Sequence, residues 1–263
     1  MILEIIDKEM TPDLNELDRG ILALYSLAVT TRPQLCEITG WDHHKVDALL
    51  KRMRKLESKP GEWVRRWQPQ RRHPYCYTLG PEGVRHAKAL RREYADDPKV
   101  VGAQAVHYLS ANEVLVGLIK RGFREGFKWY GPRETGLWFY HEAEAREGNP
   151  KIRPDAILQA EDGRAMAIEV DLGTIPSPRM KARMHKYLDL AEELPNVPDY
   201  LFVATTPRRR AELVNCLNRA ISERQTVKPA RHDWTVAFHT VGGAADYLGE
   251  WLMGPVTASS AIQ

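Results

Sequence analysis

Two apolar runs, Ala156-Ile157-Leu158 and Ala165-Met166-Ala167-Ile168, lie on either side of the tetrapeptide Glu161-Asp162-Gly163-Arg164. Asp-Gly supplies the positive φ that a tight turn needs, so the spacing predicts an antiparallel hairpin. Its first strand begins within Arg153-Pro154-Asp155-Ala156-Ile157-Leu158, and its second runs from Ala165 to Asp171. Side chains alternate across a strand, so Glu169 and Asp171, two residues apart, point to one face. Ile168 and Val170 mark the other face as buried. Asp155 starts the neighbouring strand, beside the end of the second, and three carboxylates are expected to converge there.

Three close anions repel unless protonated or bridged by a cation. Hard oxygen donors suit Mg²⁺ or Mn²⁺, which would neutralise a phosphodiester and activate water for in-line attack. The same spacing has a plainer reading: Asp155 caps a turn, and Glu169 and Asp171 form salt bridges with Arg153 or the next helix.

The surrounding pattern is that of an α/β core. A helix is expected from Ser110, as its cap, to Arg121, and the aromatic-rich stretch 123–140 is expected to contain one or two strands. Residues 142–150 are polar and loop-like. After the hairpin come a helix over Ser177–Glu193, a strand over Tyr200–Thr205 and a basic helix over Arg208–Arg224. A strand over Trp234–Val241 and a helix over Ala244–Met253 complete the pattern.

The first third of the chain has a different organisation. Leu14, Leu17, Ile21, Leu24, Tyr25 and Ala28 recur at helical spacing between Asp13 and Val29. Pro33 opens a short helix to Ile38, Thr39-Gly40-Trp41 forms a turn, and Asp42 caps a helix reaching Leu56. Helix, short helix, glycine-containing turn and helix is the helix-turn-helix order. The last helix would present His43, His44, Lys45 and Asp47 to base edges and Lys51, Arg52 and Arg54 to phosphates. Strands over Glu62–Trp67, with Arg65 and Arg66, and over Pro74–Thr78 would flank a basic wing tip carrying Arg71 and Arg72. A helix then runs to about Tyr94. The bland readings are exposed polarity at a helix start for His43 and His44, and hairpin packing for Trp63 and Trp67.

Charge distribution agrees with a nucleic-acid partner better than net charge does. The whole chain carries only +3. Between Lys45 and Arg92, however, lysines and arginines far outnumber the acids Asp47, Glu57, Glu62 and Glu82. Such a field attracts phosphate backbones, although a solvated basic face has the same composition. Asp96-Asp97-Pro98 is a candidate linker, dividing a winged helix-turn-helix domain (1–97) from a second domain (98–263). No apolar run reaches the ~20 residues that span a bilayer, and no basic leader precedes one. The three cysteines, Cys36, Cys76 and Cys216, are too scattered for a zinc knuckle or a disulfide framework, which points to a reducing, cytoplasmic setting.

Helix, β-meander, helix and strand, with Pro154-Asp155 on one strand and Glu169 on the next, resembles the PD-(D/E)xK nuclease fold. More narrowly, the residues resemble the replication-relaxation family. The motifs are His107 with Asn112-Glu113, Trp129 with Glu134, Arg153-Pro154-Asp155, Glu169-Val170-Asp171-Leu172-Gly173-Thr174, and Arg183-Met184-His185-Lys186-Tyr187. The resemblance implies an α/β (α+β) chain, winged helix first and nuclease-like domain second. It implies association with replication or relaxation on plasmids and other mobile elements, and Glu134 as a fourth metal ligand beside Asp155, Glu169 and Asp171. The nuclease pattern wants a lysine two residues after the glutamate, where this chain has Asp171. Lys181, Arg183 or Lys186 from the next helix would have to replace it, and arginine is no general base at neutral pH.

Three functions stay open on the sequence. One is a mobile-element protein that binds double-stranded DNA, alone or as a homodimer, with other replication or mobilisation proteins. A second is a Mg²⁺-dependent endonuclease or nickase. The third is a transcriptional regulator with an inactive nuclease-like domain.

Overall fold

Asn15 begins the described chain's first helix, its side-chain oxygen accepting from the N–H groups of Leu17 and Asp18. The structure is a computed structural model that describes residues 14–68, 73–91, 103–141, 152–224 and 234–254. The first elements are α1 (Glu16–Ser26), β1 (Thr30–Thr31), α2 (Arg32–Thr39), α3 (His43–Lys55), β2 (Val64–Trp67), β3 (Cys76–Leu79) and α4 (Pro81–Arg91). Next come α5 (Ala103–Lys120), β4 (Phe127–Tyr130), α6 (Thr135–His141), β5 (Ala156–Ala160) and β6 (Ala165–Asp171). The chain then continues through α7 (Ser177–Glu193), β7 (Asp199–Ala204), α8 (Pro207–Arg224), β8 (Val236–Thr240) and α9 (Val241–Met253). Mixed α+β architecture is thus established, with one sheet ordered β1-β3-β2 and another ordered β4-β5-β6-β7-β8.

Local chemistry sets the ends of the early helices. Thr31 and Gln34 form a reciprocal capping box at the start of α2. Asp42 Oδ1 accepts from the Lys45 N–H at 2.8 Å and so opens α3. Val46, Leu49, Leu50 and Met53 form the buried stripe of α3, which packs on α1, α2 and β2. Sequence spacing leaves Thr30 and Thr31 between two helices and assigns them no strand. They form the short β1 because they pair antiparallel with Tyr77 and Cys76 of β3. The tip expected between β2 and β3, with Arg71 and Arg72, lies outside the described residues, as does the candidate linker at 96–98.

In the larger sheet β4, β5 and β6 form an antiparallel meander, and β7 and β8 add in parallel through α7 and α8. Gly163 makes the β5–β6 turn at φ 88°, a conformation that a β-carbon disfavours. Both faces of β6 are buried, as expected of a strand covered by helices on each side. Met166, Ile168 and Val170 pack with residues of α5 and α9, whereas Ala165 and Ala167 pack with α7 and α8.

Two expectations need correction. The helix expected from Ser110 already begins at Ala103, because Ala105, Tyr108 and Ala111 extend its buried stripe. The second strand envisaged within 123–140 is the helix α6. Gly131 carbonyl oxygen accepts from Glu134 and Thr135 N–H at 2.9 and 3.2 Å, and that turn starts a helix despite the aromatic residues.

The two halves share one hydrophobic cluster, reaching from Ile21, Leu35 and Val46 to Leu115, Leu158 and Trp251. Polar contacts tie the same seam. Asn112 Nδ2 on α5 donates to Val29 O at 2.7 Å, and Gln34 Nε2 on α2 donates to Glu113 Oε1 at 2.7 Å. Gly131 approaches the α1 backbone so closely that a β-carbon there would lie 1.7 Å from Ser26 O.

Candidate nucleic-acid interface and carboxylate site

The outward face of α3 is polar and cationic because its large apolar residues, Val46, Leu49, Leu50 and Met53, all turn inward. Lys51, Arg52 and Arg54 are exposed, and none has an ion-pair partner among the described residues. His43 and His44 stand exposed at its first turn, their rings 3.9 Å apart. Lys45 and Asp47 are more engaged. Lys45 pairs with Glu16 and lies 4.9 Å from the Trp41 ring centroid, and Asp47 pairs with Arg32 at 2.9 Å. On β2, Arg65 and Arg66 are exposed, and the Arg66 guanidinium sits over the Tyr75 ring at 4.4 Å. The elements thus bring the described cations of α3 and β2 to the surface.

The carboxylates lie in different surroundings. Glu169 and Asp171 share the β6 face covered by α7 and α8 and are only 4% and 3% exposed. Arg183 Nη2 donates to Glu169 at 2.6 Å, the Tyr187 hydroxyl donates to its other oxygen, and Arg183 Nε donates to Tyr187 Oη at 3.2 Å. Burial pushes the Glu169 carboxyl up to about 7 against the opposing pull of Arg183. Asp171 is held by Arg209 of α8 through Nε and Nη2, and that guanidinium also donates to Ile175 O at 2.7 Å and to Glu212 at 2.9 Å. Each buried anion therefore has its own guanidinium, which offsets the cost of taking it out of water.

Asp155 sits directly across from Glu169, since Ala156 pairs with Ile168. Its carboxylate turns along the strand end, accepting from Val170 N–H at 2.8 Å and lying 3.7 Å from His107 Nδ1 on α5. That same Nδ1 is 2.8 Å from Val170 O. A carbonyl only accepts, so Nδ1 carries a proton. The nearby Asp155 carboxylate raises the His107 pKa above the ordinary histidine range, against desolvation.

Asp155, Glu169 and Asp171 are thus brought to one strand end, but Glu134 is not directed at them. Its Oε2 accepts from Gly131 N–H at 3.0 Å and closes the turn before α6. Lys181 pairs with Glu223 of α8 at 2.6 Å, and Lys186 is exposed on α7. A divalent ion needs several carboxylate oxygens around one point. Here those oxygens face guanidinium, hydroxyl and backbone N–H donors. Among the described residues no group of three or more His, Cys, Asp and Glu side chains could hold a metal ion. The donor set, so arranged, does not fit Mg²⁺ or Mn²⁺.

Tyr187, Arg209 and His107 carry contacts whose roles the sequence did not disclose. Tyr187 reads as a packing residue, although it lies four residues after Arg183, the spacing that brings two side chains together on a helix. Arg209 is hidden in the run Arg208-Arg209-Arg210, and only its position at the first turn of α8 separates it from its neighbours.

The family model for replication-relaxation proteins matches residues 22–202, more than half of the chain. The chain belongs to the replication-relaxation family. That match spans α3, the hairpin carboxylates and α7 together, and it connects the protein with replication or relaxation. No curated protein and no solved structure matches this family member. Among the described residues no helix is long and apolar enough to cross a membrane.

Proposed function

We propose that this chain is a DNA-binding protein acting in the replication or relaxation of a mobile element, and that its N-terminal half grips duplex DNA as a winged helix. The observation that carries this reading is the outward face of α3, where Lys51, Arg52 and Arg54 stand exposed without ion-pair partners among the described residues. In the helix-turn-helix arrangement such a helix lies in the major groove with its N-terminal residues at base edges. His43 and His44 occupy that end, and Arg65 and Arg66 on β2 extend the charge toward flanking phosphates.

The order α5, β4, α6, β5, β6, α7 and β7 supports reading the second half as PD-(D/E)xK nuclease-like, with α6 inserted into the meander. Cleavage by Asp155, Glu169 and Asp171 would require Glu169 and Asp171 to leave Arg183 and Arg209 in favour of a metal. We infer that this half holds DNA and does not cut it. Supercoiled plasmid incubated with the protein and Mg²⁺ or Mn²⁺ is expected to stay supercoiled. Nicked product that disappears with Glu169→Ala would establish the nuclease instead. Binding itself is tested by fluorescence anisotropy with a labelled duplex. The Lys51→Gln/Arg52→Gln/Arg54→Gln protein should bind more weakly, with a salt slope shallower by about 3. Equal affinity and slope would remove α3 from the interface.

A further inference from the structure

A cleft of about 610 Å³ opens beside the carboxylate site. Its lining includes four cationic side chains, Arg153, Arg179, Arg183 and Lys186, and no acidic one. Arg179, Arg183 and Lys186 follow one another at i, i+4 and i+7, so α7 stacks like charges along one face. That arrangement disfavours the free helix. Among the described residues, neither Arg179 nor Lys186 has an ion-pair partner, and both are exposed. Arg183 is different: Glu169 and Tyr187 fix its Nη2 and Nε, while its Nη1 makes no hydrogen bond among the described residues. The first turn of α7 adds N–H groups that no side chain caps, since Pro176 is its N-cap.

We propose that this cleft binds a phosphate group directly through Arg179, Arg183 and Lys186, with no divalent metal, and that the phosphate belongs to a DNA backbone. The inference rests on the DNA-binding reading for its ligand but uses a separate surface. Glu169 and Tyr187 act as positioning residues for Arg183, turning a planar donor toward the cleft, where guanidinium geometry matches phosphate oxygens. A carboxylate that would have ligated a metal in a nuclease thus orients the cation that replaces it.

The test measures binding of a labelled oligonucleotide in EDTA and again in Mg²⁺, using the full chain, and in parallel titrates inorganic phosphate. The Arg179→Gln/Lys186→Gln variant changes two exposed side chains and should fold as wild type, which its circular dichroism checks. Oligonucleotide binding should weaken about tenfold, with a shallower salt slope, equally in EDTA and Mg²⁺. Unchanged binding by the cleft variant, of both oligonucleotide and inorganic phosphate, overturns the proposal, as does affinity that appears only with Mg²⁺. Loss of inorganic phosphate binding alone keeps the phosphate site but overturns DNA as its source. The α3 triple variant separates the two readings. If it binds normally while the cleft variant does not, the α3 assignment fails and the cleft stands; the reverse result sinks the cleft alone.

Discussion

Asp171 and Arg209 face each other with their side chains 4% and 10% exposed, so neither charge has much water to fall back on. In a cluster of bare carboxylates awaiting a metal, neutralising one anion relieves repulsion and stabilises the metal-free protein. In this arrangement the opposite is expected. Asp171→Asn leaves a guanidinium short of its main partner, and removing one member of a buried pair costs about 3–5 kcal/mol. The low end is expected, near 3 kcal/mol, because Glu212 and Ile175 O still hold Arg209. Urea denaturation in EDTA decides it, and a more stable Asp171→Asn protein would contradict the pairing. The pH dependence follows from Glu169 and His107. Glu169 is raised from 4.5 to about 7 by burial, so its contribution is fully present below its unfolded value and lost as pH rises through about 7. His107 is raised by Asp155, and its contribution is likewise lost as pH rises through its folded value. The urea midpoint should therefore fall as pH rises through about 7, less so in His107→Asn. A midpoint that rises through this range would count against both assignments, and an identical profile in the variant would count against that of His107.

Among the elements, α3 depends on a single cap. Asp42→Ala removes the acceptor for Lys45 N–H and should cost about 1 kcal/mol, and the proposed DNA contact predicts weaker duplex binding as the first turn of α3 frays. Thermal melting and anisotropy together check this, and an unchanged melt would show that the cap contributes nothing. Capping and turn residues are also where the sequence was most legible. Asp42, Pro33 and Asp162-Gly163 act within a few residues of themselves, and the elements they bound formed nearly where expected. What was illegible depends on distant partners. β1 exists only by pairing with β3, and α6 forms because Gly131 O collects two N–H groups. The sharing of a face by Glu169 and Asp171 was readable from alternation. The reading that they form ion pairs with a following helix was available for Glu169, whose partner lies on α7. Arg209, the partner of Asp171, comes 38 residues later on α8, and no local spacing points to it.

At the scale of the molecule, the N-terminal helices and the five-stranded sheet meet through a common hydrophobic cluster and the Asn112 and Gln34 hydrogen bonds. Such a seam predicts that both halves unfold in one transition. Gly131→Ala, which forces a β-carbon against Ser26 O, should destabilise by about 3 kcal/mol or more and shift probes in both halves together. Separate transitions would mean that the seam does not couple them. The seam uses α1, α2 and α5 and leaves the outer face of α3 clear, so a duplex docked there and a phosphate in the α7 cleft would lie on halves joined by that seam. The central claim, that α3 is the surface on which DNA lies, is tested most directly by cross-linking. A photoreactive group attached through Ala48→Cys, on the exposed side of α3, is compared with one attached through Ile221→Cys on α8, both in a Cys36→Ser background. The account predicts covalent adducts with duplex DNA from position 48 and little or none from position 221; adducts from position 221 with none from 48 would contradict it.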